Sequence, residues 1–550
     1  MELFRRFKAT ALDSDWDPST KRRHFSWKLP KQQGALAPEG VWSNADLDPT
    51  PPSSQNWGVL TWWTFWLSAV ADPASWQTGA SIIPLGLSWR DAITIVIVGN
   101  IVIAIPIILN GVIGSKLRIP FPIAARASFG VYLSIFAIVS RIVLAWFWFG
   151  IECYNGGSAV SQMLRAMWPS YDNIPNHIPE SAGITTKDMC SYFLYSIIQL
   201  GFFCISPSRL RYFFAAKTVI VPAVSFGMMG YLVHKAGGGG PLISQKSTLS
   251  GSAYTSAWLL CFAAIQGNWA TLACNSPDFT RYSKGTRSQL TQLPAIPVCG
   301  LFITVCGIVG ASASQVVYGE ALWSPFDILA QWSNRTAVWF CAFGWIIGSI
   351  GSNITANSVS AANDLTSLFP KYMNLKRGQL VTALIGGWAM VPWKVLATGE
   401  TFLTFMSSYS VIMGPISACL TADYWFVKRG AYDVKALYDP HGIYRYSNGL
   451  NWRALLTLVL TITPNLPGLI NAVNPDIYIG NISWYYAPGF ITGYIPALVV
   501  YTLLNKLFPH VPTLIPRAIT AEDYYEQENL EPMEKEKQSA SDANVVVLAA

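Results

Sequence analysis

The sequence predicts an all-α polytopic membrane protein of twelve transmembrane helices with a five-plus-five inverted-repeat core, on three observations. Hydrophobic residues make up 52% of the 550 and charged residues only 12%, with a mean hydropathy of +0.33. A soluble domain carries about twice that charged share. Apolar runs long enough to cross a hydrocarbon core of about 30 Å recur along the chain. Two of them are interrupted by Gly or Pro at corresponding places in successive groups of five, the pattern of an inverted-repeat transporter with its site near the midplane. The spans are expected at 62–84, 91–113, 131–151, 189–206, 212–233, 256–275, 295–317, 338–360, 380–397, 401–420, 453–472 and 484–506.

Orientation follows from Lys and Arg, which are retained on the cytoplasmic face. The N-terminal tail holds Arg5, Arg6, Lys8, Lys21, Arg22 and Arg23, and with it inside the same face collects Lys116, Arg118, Arg281, Lys284, Lys376, Arg377, Lys428 and Arg429. Both termini are then cytoplasmic, and the sequons at Asn334 and Asn481 fall outside. The expected organisation is a cytoplasmic tail at 1–56, a first repeat at 57–236, a Gly-rich connector at 237–241, a second repeat at 242–422, helices eleven and twelve at 423–508, and a cytoplasmic tail at 509–550. Residues 1–56 are polar and Pro-rich, without the pattern of a cleavable signal. Both tails read as solvated, with Lys535 and Lys537 as acceptors for ubiquitin.

The net charge of +7 is accounted for by the loops, and no basic face interleaved with aromatics suggests nucleic acid. The nine cysteines, Cys153 and Cys204 among them, lack paired metal spacing and read as small buried hydrophobes. The five histidines form no cluster and no nucleophile-base spacing occurs, which argues against an enzyme.

Two acids, Asp72 and Glu152, stand inside apolar stretches of a chain that otherwise keeps its charges in loops, and an ionisable group at membrane depth marks a functional cavity. Asp72 lies in the first interruption, Ala71-Asp72-Pro73, where proline frees backbone carbonyls. The second is expected at Gly267-Asn268 in span six, with Pro277 just after it. In span three Trp148 and Glu152 are four apart and share a helix face, a flat plate beside a carboxylate. Asn268 and Trp269 add a polar group and a second ring. In span eight Ser352, Asn353 and Asn357 form a polar stretch, and an amide offers donor and acceptor to a heterocycle's edge.

Trp148-Phe149-Gly150-Ile151, then Asn275-Ser276-Pro277-Asp278-Phe279-Thr280-Arg281-Tyr282, then Asn353-Ile354-Thr355-Ala356-Asn357-Ser358, then Phe369-Pro370-Lys371-Tyr372 with Lys376-Arg377-Gly378 resemble, in order, the nucleobase-cation-symport-1 family. Trp42 to Pro49 resembles its fungal uracil, allantoin and uridine branch. The resemblance implies a twelve-span LeuT-like fold with helices one and six broken and two extra C-terminal helices. It also implies proton-driven uptake of a purine- or pyrimidine-related solute at the plasma membrane. Trp148 and Trp269 would sandwich the ring, Asn357 would read its edge, Glu152 would stand in place of the usual glutamine, and Phe402, Phe405 and Met406 would form a mobile gate. Two successive hydroxyl residues bind sodium in bacterial relatives; here the positions are Gly351 and Ser352, so a proton rather than sodium is expected, carried by Glu152 or Asp72. Asp72 stands where fungal relatives commonly place asparagine. An ionised carboxylate can only accept, so an alternative cargo is a cationic heterocyclic vitamin, thiamine- or pyridine-like. A non-transporting nutrient receptor is the reading from another class. The expected partners are the heterocycle, membrane lipids and the endocytic machinery, with no cofactor beyond the coupling proton.

Overall fold

A hydrocarbon core offers no partner to backbone N–H and C=O groups, so apolar segments cross it as helices. The computed structural model describes residues 15–17, 22–24, 27–29, 44, 46–203 and 207–523. Its principal helices are α1 (Val59–Ala69), α2 (Pro73–Ala80), α3 (Trp89–Leu117), α4 (Phe121–Phe129), α5 (Leu133–Met167), α6 (Thr186–Phe203), α7 (Pro207–Lys235) and α8 (Gly251–Asn275). They continue as α9 (Gln292–Tyr318), α10 (Arg335–Ser352), α11 (Ser358–Leu368), α12 (Leu375–Trp388), α13 (Gly399–Ala422), α14 (Trp452–Ile462), α15 (Leu466–Val473) and α16 (Phe490–Leu507). A short antiparallel pair, β1 (Asp15–Asp17) with β2 (Arg22–His24), sets Trp16 opposite Arg23.

Among the described residues nine helices are long and apolar enough to cross a membrane. The other three expected spans correspond to the interrupted α1 and α2, to α6, which is less apolar, and to α12, which at 14 residues is about 21 Å long. The core packs α5 along α10, α8 between α3 and α13, α9 against α2 and α3, and α13 against α16.

The first interruption falls where the sequence places it. Asp72 is extended, with φ −153° and ψ 167°, and its Oδ1 accepts from Ser75 N at 2.8 Å, capping α2 ahead of Pro73. The second does not. The helix α8 runs unbroken through Gly267 and Asn268 and is interrupted only at Ser276, before the short turn Pro277–Thr280. Gly267 serves close approach instead, because a Cβ there would lie 1.9 Å from Met406 O on α13. In the same way a Cβ on Gly307 of α9 would lie 2.1 Å from Trp76 O on α2. Span three is also longer than expected, since α5 continues to Met167.

The segments flanking the bundle are packed where they are described. Leu47, Ile113, Ile123, Tyr438, Tyr444 and Ala521 belong to a separate apolar cluster at one end. Tyr438 OH donates to Leu47 O at 2.7 Å, and Val434 N donates to Ile519 O at 2.9 Å. Asn44 donates to Met373 O at 2.9 Å. The connector is shorter than 237–241: Gly237 and Gly238 take φ of 83° and 97°, and a helical turn begins at Gly239. Trp42, Ser43, Cys204, Lys535 and Lys537 lie outside the described residues.

Gly267→Ala and Gly307→Ala should each lower the thermal transition of the purified protein, by about 1 to 3 kcal/mol of overpacking. Gly227→Ala on α7, with nothing within 4 Å of its Cβ position, should leave the transition unchanged or raise it. Equal effects at the three positions would contradict this account of the glycines.

Candidate functional site

The break between α1 and α2 leaves polar backbone inside the bundle, and such backbone is tolerated only where protein or a cavity covers it. A cavity does so here. It encloses about 930 Å³ free of atoms, mouth included, and is lined by Phe65, Asp72, Trp148, Glu152, Asn268 and Trp269, among others. It extends along α5 from Glu152 to Arg141, eleven residues and about 16 Å away. Asn275, Phe279 and Ser360 line the same end.

Asp72 is held by two donors. Its Oδ1 takes the Ser75 N–H, and its Oδ2 accepts from Ser352 Oγ at 2.7 Å. Ser352 Oγ in turn accepts from Lys217 Nζ of α7 at 2.9 Å. Lys217 is fully buried, so its ammonium is taken out of water and needs the neighbouring carboxylate. The room for it comes from Gly351, where an added Cβ would lie 2.4 Å from Lys217 Cδ. Glycine at 351 and the buried lysine are thus one steric arrangement.

Glu152 differs from Asp72. It is 1% exposed and lines the cavity, yet its Oε2 has no hydrogen-bond partner. Ser349 Oγ faces it from α10.

The two tryptophans that line the cavity are each pinned through Nε1. Trp148 donates to Tyr409 OH at 3.0 Å, and Tyr409 OH donates to Gly267 O at 2.6 Å. Trp269 donates to Asn100 Oδ1 at 3.0 Å. Both rings are thus oriented by hydrogen bonds from their Nε1 atoms.

Asn357 lines the cavity, while Asn353 does not, a correction to its expected role as a ligand contact. Asn353 is fully buried within a π-helical turn at Asn353–Asn357, donating to Gln199 Oε1 at 2.9 Å and accepting from Asn357 Nδ2 at 2.9 Å. Its work is to hold Asn357. The expected gate lies outside the lining, on the side away from Arg141: Phe402 and Phe405 meet the Trp148 ring edge-on at 6.1 and 6.3 Å, and Trp323 stacks on Phe402 at 6.1 Å. Met406 touches α8 through its backbone beside Gly267.

The expectation that Asp72 and Glu152 are the only ionisable groups within the apolar stretches is corrected. Lys217 lies in α7, and Arg141 of α5 forms a buried ion pair with Asp364 of α11 while donating to Ser360 O at 2.5 Å. Both cations fall inside expected spans, and testing every charge in a span for a partner would have found them. Among the described residues no group of His, Cys, Asp and Glu is arranged to hold a metal ion.

The family profile described as permease for cytosine/purines, uracil, thiamine, allantoin matches residues 49–495. An uncharacterised permease of Schizosaccharomyces pombe is 35% identical over 512 residues, covering 92% of this chain and 90% of the relative. The uridine permease of Saccharomyces cerevisiae is 32% identical, covering 85% and 75%. A solved structure of Mhp1 in its inward-facing conformation superposes with a TM-score of 0.69 at 21% identity, over 90% of this chain and 98% of the other, and shows the fold.

Tyr409→Phe keeps the ring and removes the two hydrogen bonds that fix Trp148. Each such bond is worth about 0.5 to 1.5 kcal/mol, so affinity for an aromatic ligand should fall at least about 5-fold in tryptophan-quenching titrations. Unchanged affinity would show that Trp148 needs no anchoring.

Proposed function

Because this chain belongs to the family of permeases for cytosine/purines, uracil, thiamine and allantoin, we propose that it is a proton-coupled symporter importing a nucleobase-related planar heterocycle by alternating access. It is a multi-pass membrane permease and not an enzyme. The ring stacks between Trp148 and Trp269, with Asn268 and Asn357 on its edges. The charge pattern of the loops supports cytoplasmic termini, and relatives such as the uracil permease support the substrate class.

The observation that carries the coupling is the hydrogen bond from Lys217 to Ser352. A fixed ammonium stands beside the hydroxyl that would otherwise help to hold sodium, so the mobile charge is a proton in the Asp72, Ser352 and Lys217 group. That group joins the break after α1 to α7 and α10. Adding or removing a proton changes its charge by one and alters the energy of holding these helices together. Substrate and proton then bias the same rearrangement, with Phe402 and Phe405 closing one side.

In a host lacking heterocycle uptake, transport by this chain should collapse with a protonophore and persist when sodium is replaced by choline. Uptake that follows sodium and ignores the protonophore would overturn the coupling. Lys217→Met, which leaves Asp72 without its cation, should reduce proton-driven uptake by at least about 10-fold; breaking a buried pair costs about 3 to 5 kcal/mol.

A further inference from the structure

We propose that the cavity selects heterocycles presenting two adjacent N–H donors on a positively charged edge, an amidinium-type edge, to Glu152. The inference rests on the reading that this cavity carries a planar heterocycle and names the chemistry of the edge it takes.

Formal charge supplies the first step. Asp72, Arg141 and Glu152 are the charged residues that line the cavity. Asp72 is balanced by Lys217 through Ser352, whose hydroxyl accepts from the ammonium and donates to the carboxylate. Arg141 is balanced by Asp364. One carboxylate remains without a cation, and it is Glu152.

Hydrogen bonding supplies the second. Glu152 is 1% exposed, and its Oε2 has no partner, in contrast to both oxygens of Asp72. A buried unpaired carboxylate is costly, and a ligand that brings two N–H groups and a positive charge removes that cost at once. Parallel N–H···O bonds to both oxygens are the strong form of this pairing. An edge with a carbonyl beside an N–H sets lone pairs against lone pairs at one oxygen. Trp148 and Trp269, which line the same cavity, supply aromatic rings that favour a cation further.

The test is a tryptophan-quenching titration of the purified full-length protein in lipid nanodiscs, with two matched pairs of probes. At mildly acidic pH protonated 2-aminoimidazole and 2-aminopyridine offer two adjacent donors; 2-imidazolone and 2-pyridone offer one donor beside an acceptor. Wild type should bind the two-donor member of each pair at least about 10-fold more tightly. Glu152→Gln, whose amide both donates and accepts, should bring the ratio to within about threefold by weakening one member and strengthening the other. Glu152→Asp, which keeps the charge, should retain the preference and serves if the glutamine variant does not fold. Equal or reversed preference in wild type, or the same ratio in Glu152→Gln, overturns the inference. Binding of none of the four probes would instead remove the heterocycle reading on which it rests.

Discussion

The carboxylate of Asp72 is the interaction on which the arrangement of the bundle depends. It stands in the only extended stretch inside the first span, where the chain stops being helical for three residues before Pro73. One oxygen restores a hydrogen bond to the start of α2, and the other reaches Ser352 on α10. Through Ser352 it meets Lys217, so three helices distant in sequence are fastened by one buried charge pair and one hydroxyl. The same break opens the cavity. Without a group to cap α2 and hold it against α10, the interrupted helix would leave its polar ends in an apolar interior, at several kcal/mol each.

The remaining parts of the site fall into place around that fastening. Tyr409 ties the Trp148 plate to the Gly267 carbonyl, and Gly267 has no side chain because α13 must approach α8 closely there. One ring of the cavity, the aromatic side and the unbroken α8 therefore form a single packed unit. At the opposite end, Arg141 and Asp364 join α5 to α11 by an ion pair whose guanidinium also lines the cavity. The two ends of the cavity therefore belong to helices that have separate partners.

Much of this was legible in the sequence, for identifiable reasons. Composition and run length announce a membrane protein because hydrocarbon admits few charges. The Asp72-Pro73 pair announces the first break because proline and a capping carboxylate act locally. Trp148 and Glu152 share a face by helical spacing alone, and both do line the cavity. What was not legible depends on partners far away in the chain. Ser352 finds Asp72 across 280 positions and Lys217 across 135, and no local pattern announces either contact. Gly267 was misread because glycine allows both a break and a close approach, and only the position of Met406 decides. Asn353 and Asn357 are equal in type and spacing, yet the π-helical turn leaves one facing the cavity and buries the other behind it.

The central claim is that the Lys217 ammonium replaces a bound metal cation and makes the proton the coupling ion. Proteoliposomes holding a pH-sensitive dye and purified protein test it most directly, through proton entry when substrate is added outside in sodium-free buffer. Wild type should acidify the interior in step with substrate uptake, and Lys217→Gln should bind substrate yet move no protons with it. Proton entry at the wild-type ratio in Lys217→Gln, or substrate uptake by wild type with no proton entry, would contradict the account.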